Sequence, residues 1–221
     1  MTVSRRGVLG LIGGGTIVAA GAGGGVFALT RTPEKALAPW SAAGGYTEPR
    51  KRALSYAILA PNPHNRQPWL VDLKQPDMVT LYRDKDRDLP HTDPQARQLT
   101  IGLGCFLEMM TIAAGETGHA VDLDLFPEGE NGPVAVARFR EGGSHDPLFQ
   151  YVMTRRSCKE PFDDKPVSDA AIKELSPLAN IIAEPARVKQ LRELTWEAWK
   201  TEVYTHRTMK ESVDLMRFGK S

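Results

Sequence analysis

Two short stretches hold most of the side chains that could do chemistry. "TRRSCKEPF" (154–162) sets Arg155, Arg156 and Ser157 side by side, and "APNPHNRQPW" (60–69) gathers Asn62, His64, Asn65 and Gln67 among three prolines. Guanidinium forks make bidentate, charge-assisted hydrogen bonds to phosphate, and an adjacent hydroxyl adds a donor. The same arginine pair also suits the solvated end of a helix, where positive charge is favoured, and the stretch alone leaves both readings open. In the second stretch each amide side chain offers donors and acceptors together, which fits the edge of a flat heterocycle. Prolines fix φ and bias the preceding residue toward extended backbone, here Ala60, Asn62 and Gln67. Such an elbow would present its polar groups at low ordering cost. Asn and Pro equally favour a plain helix-to-strand turn, and that alternative stands beside the first. His64 could donate a proton to a bound acceptor or serve only as a hydrogen-bonding partner. No acid–base triad is legible, so no catalytic residue is assigned.

Other chemistries find little support. The two cysteines, Cys105 and Cys158, fit neither a zinc nor a CxxC spacing and read as a packed thiol and a loop thiol. The five histidines are scattered, so no metal site is expected. A net charge of +1 without a basic stripe argues against a nucleic-acid surface.

The elements that must position the two stretches follow from pattern. "PRKRALSYAILA" (49–60) reads as a short amphipathic helix with Pro49 at its start. "WLVDL" (69–73) and "MVTLY" (78–82) read as strands joined by a hairpin-like turn. Asp93 is placed to cap a following helix with Pro94 at its first position. Residues 95–117 form the longest apolar helical run, apolar on most sides and therefore expected to be buried or in an interface. "AVDLDLFP" (120–127) and "PVAVARFR" (133–140) alternate as strands, and Ser168 begins another helix. From Pro185 the chain is helical, with Val188, Leu191, Thr195, Ala198, Trp199 and Val203 keeping a 3.6-residue period.

The beginning of the chain is of another kind. Ser4-Arg5-Arg6 precedes an uncharged, glycine-rich apolar run, the pattern of a twin-arginine export signal. Residues 8–29 are also close to the length of a membrane anchor. Residues 1–30 are therefore set apart as a signal or anchor and residues 31–45 as a linker. The expected location is outside the cytoplasmic membrane, with the twin-arginine translocation machinery as a partner.

Together the quoted stretches resemble the nitroreductase superfamily of FMN-dependent reductases. "APNPHNRQPW" is similar to the family's "PSSxNxQPW" signature, and "RRSCKEPFDDKPVSDAAIKEL" to its "RRSxRxF…V" opening. The run from Gln95 to Pro127 is similar to its central helix and following strand. Asn62 and Pro63 stand where the family has two serines, and Lys159 where it has a second arginine. The arginine motif follows the elbow instead of preceding it. That order resembles the Acg-type subgroup, in which two half-repeats in one chain imitate a homodimer.

The resemblance implies an α+β fold, a mixed or antiparallel sheet packed around a central helix. Residues 46–142 would be the first half and 147–221 the start of an incomplete second half. It implies FMN between Arg155, Arg156 and Ser157 on one side and Asn62, Pro63, His64, Asn65 and Gln67 on the other. The expected activity is two-electron reduction of a small-molecule electron acceptor, nitroaromatic or quinone-like. Self-association supplying the missing half is a further expectation. The alternatives are a flavin-holding protein without turnover and an inactive fragment.

Overall fold

The computed structural model describes residues 34–158, 160–163 and 165–216. The expected export segment, Lys159 and the final residues lie outside that range. Within the stretch expected to be a linker, Glu34–Ala42 forms helix α1. Helix α2 spans Pro49–Ala57, and the Glu48 carboxylate accepts the Arg50 and Lys51 backbone N–H groups at its N-terminus. Proline in the first turn withholds an N–H that would be orphaned there anyway. Arg50 also ties the helix to the sheet, its Nη1 donating to the carbonyls of Gln75 at 2.7 Å and Met78 at 2.9 Å.

Four strands form one sheet: β1 (Trp69–Asp72), β2 (Met78–Arg83), β3 (His119–Leu125) and β4 (Ala135–Glu141). Their order is β1-β2-β4-β3 and every pairing is antiparallel. Of the two expected sheet types, the antiparallel one is present. Alternation puts Val79, Leu81, Ala135, Ala137 and Phe139 in the core, as a period of two requires.

Helix α3 (Arg97–Gly115) lies in that core, with ten buried residues including Leu103, Phe106, Leu107 and Met110. It is long and apolar enough to cross a membrane, but its packing is that of a core helix. Its start corrects the expected one. The helix begins at Arg97, after Ala96 in a left-handed conformation (φ 50°), so Pro94 lies outside it. Asp93 nevertheless caps: its buried carboxylate accepts the Leu99 N–H at 2.9 Å, reaching over the turn that Ala96 closes onto the Asp93 carbonyl.

Beyond the sheet come α4 (Phe149–Val152), α5 (Asp169–Leu175), α6 (Pro185–Tyr204) and α7 (His206–Asp214). Ser168 caps α5 as expected, its Oγ accepting the Ala171 N–H. α7 returns to the body through Glu211. Its carboxylate accepts the His91 N–H at 3.1 Å, the Thr92 N–H at 2.7 Å and the Thr92 hydroxyl at 2.6 Å. Burial alone would raise the Glu211 pKa, but the Thr92 hydroxyl, the two backbone donors and nearby His91 together hold it below the ordinary carboxylate value.

A group with a depressed folded pKa stabilises above its unfolded pKa and loses that contribution as pH falls through the folded one. Wild type should therefore melt above Glu211→Gln near neutrality. The gap in Tm should shrink as pH is lowered through the acidic range, and a gap constant with pH would contradict the assignment.

Candidate functional site

The elbow is a strained segment held by many small contacts. Asn62 is extended, Pro63–Asn65 make a 3₁₀ turn, and His64, Asn65 and Gln67 have φ of 49°, 50° and 51°. Left-handed backbone costs roughly 1–2 kcal/mol per non-glycine residue, so three such residues in four positions need support. Asn62 supplies part of it: its Oδ1 accepts the Gln67 N–H at 2.7 Å, and its Nδ2 donates to the Ala60 carbonyl at 3.2 Å. Arg66 and Arg87 supply more by exchanging bonds. Arg66 Nε donates to the Arg87 carbonyl and Arg87 Nη1 to the Arg66 carbonyl, both at 2.8 Å.

Underneath, Gly102 of α3 lets the elbow sit down on the helix. A Cβ there would lie 3.1 Å from Asn62 Cβ and 3.3 Å from Pro63 Cδ. His64 and Asn65 are left exposed, and Gln67 is half-buried.

Asn62 therefore shapes the elbow, with both ends of its carboxamide engaged inside it. Asn62→Ala should cost about 1–3 kcal/mol in urea unfolding, because the Gln67 N–H loses its acceptor. Asn62→Asp keeps that acceptor and should recover part of the loss.

The arginine motif divides. Arg155 turns toward the elbow: its Nη2 donates to the Leu59 carbonyl at 3.1 Å, joining positions 96 residues apart. Its Nε is buried with no hydrogen-bond partner among the described residues. Arg156 turns the other way and lies 3.9 Å above the Trp40 ring of α1, a cation–π contact. Its Nη1 donates to the carbonyls of Met153 and Arg155. Ser157 is exposed. Of the three residues expected to face the elbow together, Arg155 reaches its edge at Leu59, Arg156 is engaged by Trp40 and by its own turn, and Ser157 is exposed.

A cleft of about 350 Å³ opens beside Arg155 and Pro61. Cys105, Glu108, Met109 and Ile112 of α3 form one wall. Leu148, Tyr151 and Val152 form the other, with Arg155 at the end of that row. Each wall repeats at i, i+3, i+4 and i+7, the spacing of a single helical face. This signal was present in the sequence: it would have found Tyr151, and it would have placed Cys105, which reads there only as a packed thiol, on the wall of the cleft. Trp40 had no such signal. The cleft is lined almost wholly by carbon, the stems of Glu108 and Arg155 included, and suits a flat apolar body.

A larger cavity of about 660 Å³ lies elsewhere, between β2, the loop at 126–132 and the first turn of α3, and touches neither stretch. Among the described residues no cluster of three His, Cys, Asp or Glu could hold a metal.

Comparison with known proteins adds relatives at a distance. No family model matches the chain. A provisionally named NAD(P)H nitroreductase, acg, of Mycobacterium tuberculosis is 29% identical over 150 residues, covering 64% of this chain and 44% of that protein. A second protein of that organism with the same provisional activity name is 31% identical over 78 residues, 35% of this chain and 22% of its own length. An uncharacterized protein, again from that organism, is 29% identical over 123 residues, 51% of this chain and 35% of the relative. The chain thus matches less than half the length of each of these relatives.

Proposed function

We propose that the chain is an FMN-dependent oxidoreductase of nitroreductase type, acting on a small nitroaromatic or quinone-like acceptor. One observation carries the reading: the Arg155–Leu59 bond, which brings the arginine motif to the edge of the elbow, with a buried Nε that has no partner among the described residues beside an apolar cleft. An orphaned guanidinium donor is costly unless a ligand oxygen meets it. The names of the distant relatives support the same class of chemistry.

The residues fit the group. Arg155 would bind a phosphate or ring-carbonyl oxygen of FMN, and the stripes on α3 and α4 would exclude water from the ring. His64 and Asn65, held outward by the braced turn, would border its polar edge, with Gln67 beside them. When bound, FMN supplies two-electron transfer at N5, and the protein contributes binding, orientation and electrostatics. Ser157 and Arg156 would join only after the Trp40 contact opens. Export by the twin-arginine route fits a protein that takes up its cofactor before crossing the membrane, with Ser4-Arg5-Arg6 as its support. Lysine at both Arg5 and Arg6 should then hold the protein in the cytoplasm, as fractionation would show.

The functional test is an absorption spectrum of the chain after mixing with FMN and gel filtration. A co-eluting, shifted flavin band bleached by NADPH without oxygen is the expected result. Bleaching by dithionite alone would favour the flavin-holding alternative. Colourless protein would overturn the proposal for this chain.

A further inference from the structure

The cavity of about 660 Å³ that stands apart from both stretches differs in kind from the apolar cleft. Buried Leu103 and Val134 line its inner part, and Tyr82 and Phe126 are its aromatic lining. The rest is polar. Arg83 and Lys85 come from the end of β2 and the turn after it, Glu130 and Asn131 from the loop after β3, and Gln95 from the approach to α3.

Two features mark it as built for a ligand. The first is Phe126, whose φ is 51°, an outlier for so bulky a side chain. The fold enforces this: the Phe126 N–H donates to the Val134 carbonyl at 3.0 Å, and its carbonyl accepts the Gly129 N–H at 2.9 Å. Packing does little to offset the strain, since Phe126 is 43% exposed. Backbone strain of this sort collects at ligand sites. The second feature is a set of unused polar groups. Arg83 Nε and Asp88 Oδ1 meet at 3.3 Å, yet both are buried without a hydrogen bond among the described residues. Asp84 is taken by Arg87, and Lys85 has no carboxylate partner among the described residues. The Gln95 and Asn131 carboxamides likewise make no hydrogen bond there.

The lining says which ligand fits. An unpaired ammonium beside a guanidinium with donors to spare suits a phosphate monoester. A carbon floor flanked by aromatic rings suits a flat ring. Free carboxamides offer donor and acceptor to the edge of a heterocycle, and Glu130 accepts from amino or hydroxyl groups. The volume is that of a drug-sized ligand, more than a lone phosphate or a single amino acid needs.

We propose that this cavity is a second ligand site, which takes a nucleoside monophosphate. The phosphate lies at Lys85 and Arg83, the base lies along Tyr82 and Phe126, and its edge meets Gln95 and Asn131. The site does not depend on the flavin reading, because neither Arg155 nor the elbow lines it. FMN is itself a nucleotide, so the test must cross the two sites.

Calorimetric titration of the full chain with AMP, GMP, CMP and UMP tests it, with the matching nucleosides and inorganic phosphate as partial probes. At least one nucleotide should bind more tightly than either of its parts. Lys85→Ala should weaken that nucleotide by about tenfold or more, as loss of a charged hydrogen bond does, and leave its nucleoside unchanged. Phe126→Ala should weaken nucleotide and nucleoside alike by about tenfold, the ordinary worth of one stacked base. Phe126→Gly should bind as poorly yet melt higher than Phe126→Ala, since glycine adopts left-handed backbone without strain. That pair separates lost stacking from lost folding. Lys85→Ala should leave FMN retention unchanged, and Arg155→Ala should leave nucleotide binding unchanged. Failure of all four nucleotides to bind would overturn the proposal. So would binding indifferent to Lys85→Ala, or binding lost with Arg155→Ala, which would place the nucleotide in the cleft instead.

Discussion

Arg155→Ala is expected to abolish retention of FMN through gel filtration, while Arg156→Ala leaves it nearly unchanged. The asymmetry follows from where the two guanidinium groups lie. Arg155 Nη2 holds the Leu59 carbonyl and its Nε is buried beside the cleft, whereas Arg156 is spent on the Trp40 face and two carbonyls. A hydrogen bond to a charged group contributes roughly 1.5–3 kcal/mol, so its loss weakens binding by about ten- to a hundredfold. Arg155→Lys keeps the charge without the fork and should fall between the two. Flavin fluorescence titration gives the affinities, and thermal melts of the unliganded proteins separate binding from folding. Equal losses for Arg155→Ala and Arg156→Ala would mean that both arginines reach the ligand, contrary to the geometry described.

Phe106→Ala carries the largest expected cost in stability, about 3–5 kcal/mol, the usual range for emptying a fully buried aromatic position. Phe106 is 0% exposed in the middle of α3, and its ring centroid lies 5.1 Å from that of Trp69. Trp69 opens β1 directly after buried Pro68, so the cavity would undermine the strand that anchors the far end of the elbow. Urea unfolding should show a lower midpoint at an unchanged slope, the sign of lost stability without a changed folded extent. Phe106→Leu, which refills part of the space, should cost less than half as much. Near-equal costs for the two would show that the site does not depend on ring packing.

Much of the fold is local, and the local parts were legible. The strands at 120–127 and 133–140 were legible from alternation and those at 69–73 and 78–82 from the turn between them, and β2 and β4 bury every second side chain as the pleat requires. The Asp93 and Ser168 caps were legible because orphan N–H groups draw short acceptors to helix starts. The start of α3 was not, since it depends on a left-handed Ala96 that no propensity favours and that the buried Asp93 carboxylate enforces.

The same division holds at the site. That two stretches would converge was readable from their joint resemblance to one family. Which arginine would turn inward was not, because it depends on Trp40, a helix away and without a motif of its own. The inward turn of the Asn62 carboxamide was hidden as well. An asparagine among prolines looks the same in sequence whether it serves a ligand or its own loop.

The bond between Arg155 and Leu59 has a consequence for how the chain comes to be folded. Closing a loop of 96 residues costs about 4 kcal/mol in chain entropy before any contact offsets it. During synthesis the elbow emerges long before its arginine, so the pair cannot meet until the intervening sheet and α3 have been made. Contacts of such sequence separation form slowly. A ligand that needs both halves of the pair would therefore bind only to chains that have finished folding this far, and its presence would certify a completed core.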